Sequence, residues 1–174
     1  MELQLKQFHK QKEANECWFA CFLMVYDYVK KTSSDYSQKR TEIAQREVIK
    51  EAIKINNVGY DPFKDGAGDD VVKELLEEEL FGLPYGRTDD SNDNFTIQMV
   101  EAGTDMNRLL ADVERSLNQG FPAVVGINRG NTGHFCVVVG VKNGELIIVD
   151  PLEDGRPSHR KITKDVTTFI YHCR

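Results

Sequence analysis

The chain has 174 residues and a formal net charge of −6, the size of one ordinary domain, so a single site in a single fold is the expectation. Its 40% apolar and 29% charged residues exclude disorder throughout, and a negative chain lacks the basic field on which non-specific binding to a nucleic-acid backbone depends. The acidity is regional: residues 61–105 carry 13 acidic against 3 basic side chains, which leaves the remainder mildly basic.

The opening residues are polar where a secretory signal needs an apolar core, which predicts a cytoplasmic chain or one exported by a signal-independent route. The first strongly apolar stretch covers residues 17–31, where Trp18, Phe19, Cys21, Phe22, Leu23, Val25, Tyr26 and Val29 leave hardly any face polar. That pattern predicts a helix buried on most sides. Its longest apolar run, residues 18–26, falls far short of the roughly 20 residues that span a bilayer, so no membrane helix is expected.

Ser34 or Ser37 can cap a second helix, in which Ile43, Val48, Ile49, Ala52, Ile53 and Ile55 follow helical spacing until Asn56-Asn57-Val58-Gly59. Residues 69–81 predict a third helix with acids in its first turn, and the polar segment 85–94 is the best linker candidate. After it the period changes. Residues 95–100 and 121–127 read as strands around an amphipathic helix at 105–117. Residues 134–141 and 145–149 form a hairpin through Asn143-Gly144, and 167–171 is a last short strand. The fold class is α+β: a helical lobe (1–92) followed by a mostly antiparallel sheet lobe (93–174) in one domain spanning 1–174.

Chemistry concentrates at four positions. Cys17 stands at the N-terminus of the first helix, where the exposed backbone N–H groups and the helix dipole favour a thiolate. His134 begins a strand after the glycine-bearing loop 129–133. Asp150 ends the partner strand of the hairpin, where it can neighbour His134 and hold the imidazole in one tautomer. The Cys17 backbone N–H and the Gln11 amide are candidate oxyanion donors. Trp18 reads as packing, and His9, His159 and His172 read as surface groups. A zinc set of Cys17, Cys21, His134 and Cys136 is conceivable from ligand type, but Cys-x3-Cys in one helix is poor geometry and leaves Gln11 and Asp150 unexplained. Residues 89–93 begin like a calcium loop, yet Asn94 and Val100 replace its glycine and glutamate, so a solvated turn is expected.

The run Gln11-Lys12-Glu13-Ala14-Asn15-Glu16-Cys17-Trp18-Phe19-Ala20, with His134 and Asp150 sixteen residues apart, resembles the papain-like cysteine peptidase clan. His134-Phe135-Cys136-Val137-Val138-Val139-Gly140, then Ile147-Ile148-Val149-Asp150-Pro151, is more similar to its bacterial branch, which includes the double-glycine leader peptidases of bacteriocin exporters and papain-like effector proteases. The resemblance implies a papain-like fold in which the first helix is the central, nucleophile-bearing one. It also implies a Cys17–His134–Asp150 triad with Gln11 in the oxyanion hole, a protein or peptide substrate, and neither cofactor nor metal.

Two departures shape the expectation. Ala14-Asn15-Glu16 replaces the Cys-Gly-Ser/Ala stretch of papain and the cathepsins. The exporter peptidases are fused to membrane transporters, whereas no membrane segment is visible here, so leader processing is not the first expectation. A bacterial effector or toxin, paired with an inhibitory or immunity protein, suits a chain of this kind. Two other classes share the residues: a glutamine deamidase or transglutaminase-like enzyme, and a catalytically silent papain-like binding module. The acidic stretch 61–105 lies between the nucleophile and histidine blocks, where it either selects basic targets or forms a solvated face.

Overall fold

The computed structural model describes residues 2–45, 61–66, 96–100, 106–129, 132–161 and 166–172. The predicted helix at 69–81, the latter part of the second helix, the 85–94 linker, the calcium-like turn and Cys173 lie outside them. Helix α1 (Cys17–Lys30) buries ten of its 14 residues, as its all-round apolar pattern requires. It ends where Lys31 turns left-handed at φ 56° and the N–H groups of Lys31 and Thr32 return to the Asp27 carbonyl.

Helix α2 (Tyr36–Ala44) is capped by Asp35, whose carboxylate accepts from the Gln38 N–H at 2.7 Å. This corrects the serine caps expected from sequence. Ser34 instead spends its hydroxyl on Asp27 at 2.6 Å, and Ser37 accepts from the Lys12 ammonium at 2.5 Å. A short turn of helix, α3 (Pro62–Asp65), which the sequence reading passed over, has Asp61 as its cap and proline in its first turn.

Six strands form one antiparallel sheet in the order β1-β6-β2-β3-β4-β5, with β1 Thr96–Val100, β2 Ala123–Arg129, β3 Thr132–Lys142, β4 Glu145–Val149, β5 Ser158–Lys161 and β6 Val166–His172. Helix α4 (Met106–Asn118) precedes β2. The β3–β4 hairpin turns through Asn143 and Gly144 at φ 54° and 75°, the pair of positive angles that a two-residue turn matched to strand twist needs.

The centre of the sheet, β2 to β4, is buried on both faces. Phe135, Val137, Val139, Ile147 and Val149 pack with α1, while the alternating residues Cys136, Val138, Leu146 and Ile148 join Val113 and Leu117 of α4. The architecture is the expected α+β one, with a buried helix against an antiparallel sheet. Helix α4 covers the second face as well.

The N-terminal segment is pinned to the sheet before it reaches α1. The Leu3 N–H donates to the Val139 carbonyl at 2.6 Å, at the bulge where the β3–β4 register shifts. The Gln11 N–H donates to the Pro151 carbonyl at 3.0 Å, so the approach to Cys17 is tied to the turn after β4. That turn needs a glycine. Gly155 sits at φ 82°, and a Cβ there would stand 2.7 Å from the Phe8 ring. Gly155→Ala is expected to cost about 2 to 4 kcal/mol, an overpacking penalty plus a left-handed one, read as a lower midpoint in urea unfolding; an unchanged midpoint would refute the contact.

Candidate active site

Cys17 is the first residue of α1 and is 6% exposed. Helix α1 packs mainly on β3, the strand that carries His134, and the Cys17 thiol is among the groups whose influence reaches the His134 ring. His134 directs Nε2 at Asp150 Oδ1, 2.7 Å away, with both side chains buried. The register explains the reach. Val137 is opposite Val149, so Asp150 follows on the diagonal from His134, within range of a side-chain pair across an antiparallel ladder. Asp150 Oδ1 also accepts from the Leu152 N–H at 2.8 Å, which fixes the carboxylate.

With Nε2 engaged by Asp150, Nδ1 is the ring nitrogen left for a thiol. Burial works against a charged imidazole, but the Asp150 carboxylate and the thiols of Cys136 and Cys17 outweigh it, and the His134 pKa is pushed up to about 11. Cys21, one turn along α1, is different. Complete burial, with Cys136, Cys17 and Asp150 nearby, pushes its thiol up, so it stays a neutral packing group.

Gln11 is buried in the loop ahead of Cys17. Its Nε2 donates to the carbonyls of Glu13 and Ala14, each at 2.9 Å, while its Oε1 has no hydrogen-bond partner among the described residues. The amide therefore braces the loop, and donating to an oxyanion requires it to release one of these carbonyls. Trp18 is fully buried and donates Nε1–H to the Pro62 carbonyl at 3.1 Å, against the Phe63 ring. The packing role read from sequence is correct, and its partner is α3.

Glu16 is a group that sequence reasoning missed. It is fully buried beside Cys17, forms an ion pair with Arg40, and accepts from the Tyr36 hydroxyl at 2.9 Å. Burial and the neighbouring Glu16 charge push the Tyr36 phenol well above its ordinary range, so Tyr36 remains a donor. A glutamate in a polar loop, 24 residues from its arginine, gives no local signal of this.

His9 also corrects the sequence reading. It is buried rather than on the surface, and its Nε2 lies 2.7 Å from Asp27 Oδ2. Burial raises the Asp27 carboxyl, yet hydrogen bonds from Ser34, His9 and Thr32 win and hold it below its usual value. His159 is on the surface as expected, 3.5 Å from Glu145. The side chain of His172 lies outside the described residues.

Among the described residues, the metal-ligating side chains that converge are His134, Cys136 and Asp150, with ligand atoms within 4.8 Å of one another. The cysteine-rich set that included Cys21 does not form. No helix among the described residues is long and apolar enough to cross a membrane.

Comparison with known proteins agrees with this architecture. The solved peptidase domain of Streptococcus ComA, a bi-functional ABC transporter involved in a quorum sensing pathway, superposes with a TM-score of 0.51 at 14% identity, covering 94% of this chain and 96% of that one. No curated protein matches the sequence at a significant level. The model of the Peptidase_C39-like family matches residues 4–171, and the chain belongs to this family of papain-like cysteine peptidases.

Proposed function

We propose that Cys17, His134 and Asp150 are the working triad of this cysteine peptidase and that a peptide or protein chain is the substrate. The observation that carries the reading is the buried His134–Asp150 pair at 2.7 Å on β3, the strand against which α1, with Cys17 as its first residue, packs. In this scheme the imidazolium is the counter-ion that a thiolate at a helix N-terminus requires. The Cys17 sulfur attacks the carbonyl carbon, and His134 Nδ1–H protonates the departing amine. The same nitrogen then takes a proton from the water that hydrolyses the thioester. Asp150 holds Nε2–H throughout.

The Cys17 backbone N–H is one oxyanion donor. Gln11 is the second, in a position reached by trading the Glu13 or Ala14 carbonyl for the oxyanion. Gln11→Ala is then expected to lower kcat by about 10²- to 10³-fold with a smaller change in KM; loss of thermal stability alone, with kcat intact, would restrict Gln11 to bracing the loop.

Mass spectrometry of a cell lysate exposed to the wild type and to Cys17→Ala tests the whole scheme. New peptide termini with the wild type alone establish hydrolysis. A gain of about one mass unit on intact targets, or crosslinked chains, assigns glutamine deamidation or transglutamination to the same residues. Identical lysates refute the triad. Intracellular expression of the same two proteins tests the effector or toxin reading and the need for an inhibitory partner, since that reading requires toxicity from the wild type and none from Cys17→Ala.

A further inference from the structure

The triad uses His134 and Asp150 but leaves Cys136 without a task. Its thiol is fully buried, two residues along β3 from His134, and its sulfur lies with a His134 nitrogen and an Asp150 oxygen in a group no more than 4.8 Å across. A thiolate, an imidazole and a carboxylate are the ligand types of a zinc site with three protein ligands. We propose that Zn²⁺ binds His134 Nε2, Cys136 Sγ and an Asp150 oxygen, with water in the fourth position, and switches the enzyme off.

The geometry needs little movement. Tetrahedral zinc, with bonds of about 2.0 to 2.3 Å, separates its ligand atoms by roughly 3.3 to 3.7 Å. The His134–Asp150 pair at 2.7 Å opens slightly and the sulfur closes in. Binding releases two protons, one from the Cys136 thiol and one from His134 Nε2. Zinc, thiolate, carboxylate and neutral imidazole then sum to zero charge, which suits a buried site. Gly133, which precedes His134 in β3, is exposed, so the site lies next to the surface along the strand.

The inhibitory consequence rests on the proposed triad. With zinc on Nε2, the remaining ring proton sits on Nδ1, the nitrogen that the proposed triad assigns to the exchange with Cys17. The imidazole can then no longer accept a proton from the thiol or from water, and Asp150 is withdrawn from it.

The test separates metal binding from hydrolysis by using Cys17→Ser, in which Cys136 is the site's remaining candidate thiolate. Titrated with Co²⁺ as the spectroscopic stand-in for zinc, Cys17→Ser is expected to develop a thiolate-to-cobalt charge-transfer band with tetrahedral visible bands, and these vanish in Cys17→Ser/Cys136→Ala. A band that survives loss of Cys136, or is absent from Cys17→Ser, overturns the site whether or not the protein hydrolyses peptides. In the otherwise wild-type enzyme, zinc inhibition reversed by a chelator should weaken in Cys136→Ala by at least the 10- to 100-fold typical of losing an outer partner of a metal site, each variant being compared with its own zinc-free rate. Equal inhibition of both moves the metal to Cys17 and refutes a role for Cys136. Cys136→Val, which refills the core position, replaces the alanine variant in both assays if alanine unfolds the chain.

Discussion

Asp150→Asn should cut turnover by as much as about 10⁴-fold and move the alkaline limb of the pH–rate profile to lower pH. Asparagine keeps the shape and the bond from the Leu152 N–H but removes the charge that sits 2.7 Å from His134 Nε2. Burial alone would favour the neutral ring, and Asp150 is the leading opposing influence that lifts His134 to about 11. Without it the imidazolium gives up its proton earlier, so the pair fails at a lower pH. The stability consequence has a definite sign. A folded pKa above the ordinary 6.5 stabilises the fold fully below 6.5, and this contribution is lost as pH rises toward about 11. The wild type should therefore melt higher than Asp150→Asn near neutrality, with the gap closing in alkali. Profiles of kcat/KM against pH for both proteins, with melting curves at about pH 6 and about pH 10, provide the check. A coincident alkaline limb would show that Asp150 does not set the charge state of His134.

Local patterns carried much of this arrangement in the sequence, and tertiary pairs carried the rest. A helix expected at 17–31 runs Cys17–Lys30 because its apolar residues cover nearly every face, and the amphipathic helix expected at 105–117 runs Met106–Asn118 because its apolar spacing matches the helical period. Asn143-Gly144 set the pairing of β3 with β4 near the turn, whereas the bulge between Val138 and Gly140, which no sequence signal announced, sets the register that brings Asp150 near His134. Strand β5 was invisible because Ser158-His159-Arg160-Lys161 has no apolar alternation; it is an edge strand ordered by its pairing with β4. His9 and Glu16 escape sequence reasoning for another reason. Each is a polar residue in a polar loop, and the partner that justifies its burial, Asp27 or Arg40, is 18 or 24 residues away. The polar spacing of the chain shows which residues can be buried at a cost, but not which other segment will come to meet them. Of the acidic region, the described parts are α3, β1 and the residues flanking α3, so its relation to the site stays with the sequence.

Glu16 connects stability to catalysis, because it occupies the position before the nucleophile and is held entirely by α2. Arg40 donates to one carboxylate oxygen and Tyr36 to the other, while the guanidinium also lies 4.4 Å over the Phe63 ring, beneath which Trp18 packs. Glu16→Ala would leave the Tyr36 hydroxyl buried without its acceptor and the Arg40 charge without its counter-ion. Breaking a buried pair in this way costs about 3 to 5 kcal/mol, and because the Arg40 side chain is 35% exposed and can turn to water, the lower end applies, about 3 kcal/mol. In a chain of this size that corresponds to a fall in Tm of roughly 6 to 12 °C. Glu16→Gln should lose less, since the amide oxygen can still accept from Tyr36. A double-mutant cycle with Arg40→Ala separates the pair from the cavity: a coupling of at least about 1 kcal/mol is expected, and a coupling near zero would mean that the carboxylate acts through Tyr36 alone. The same variants measured for hydrolysis well below their melting temperatures report on position. If α2 anchors the start of α1, Glu16→Ala lowers kcat while its chain is still folded, and Glu16→Gln recovers part of that loss.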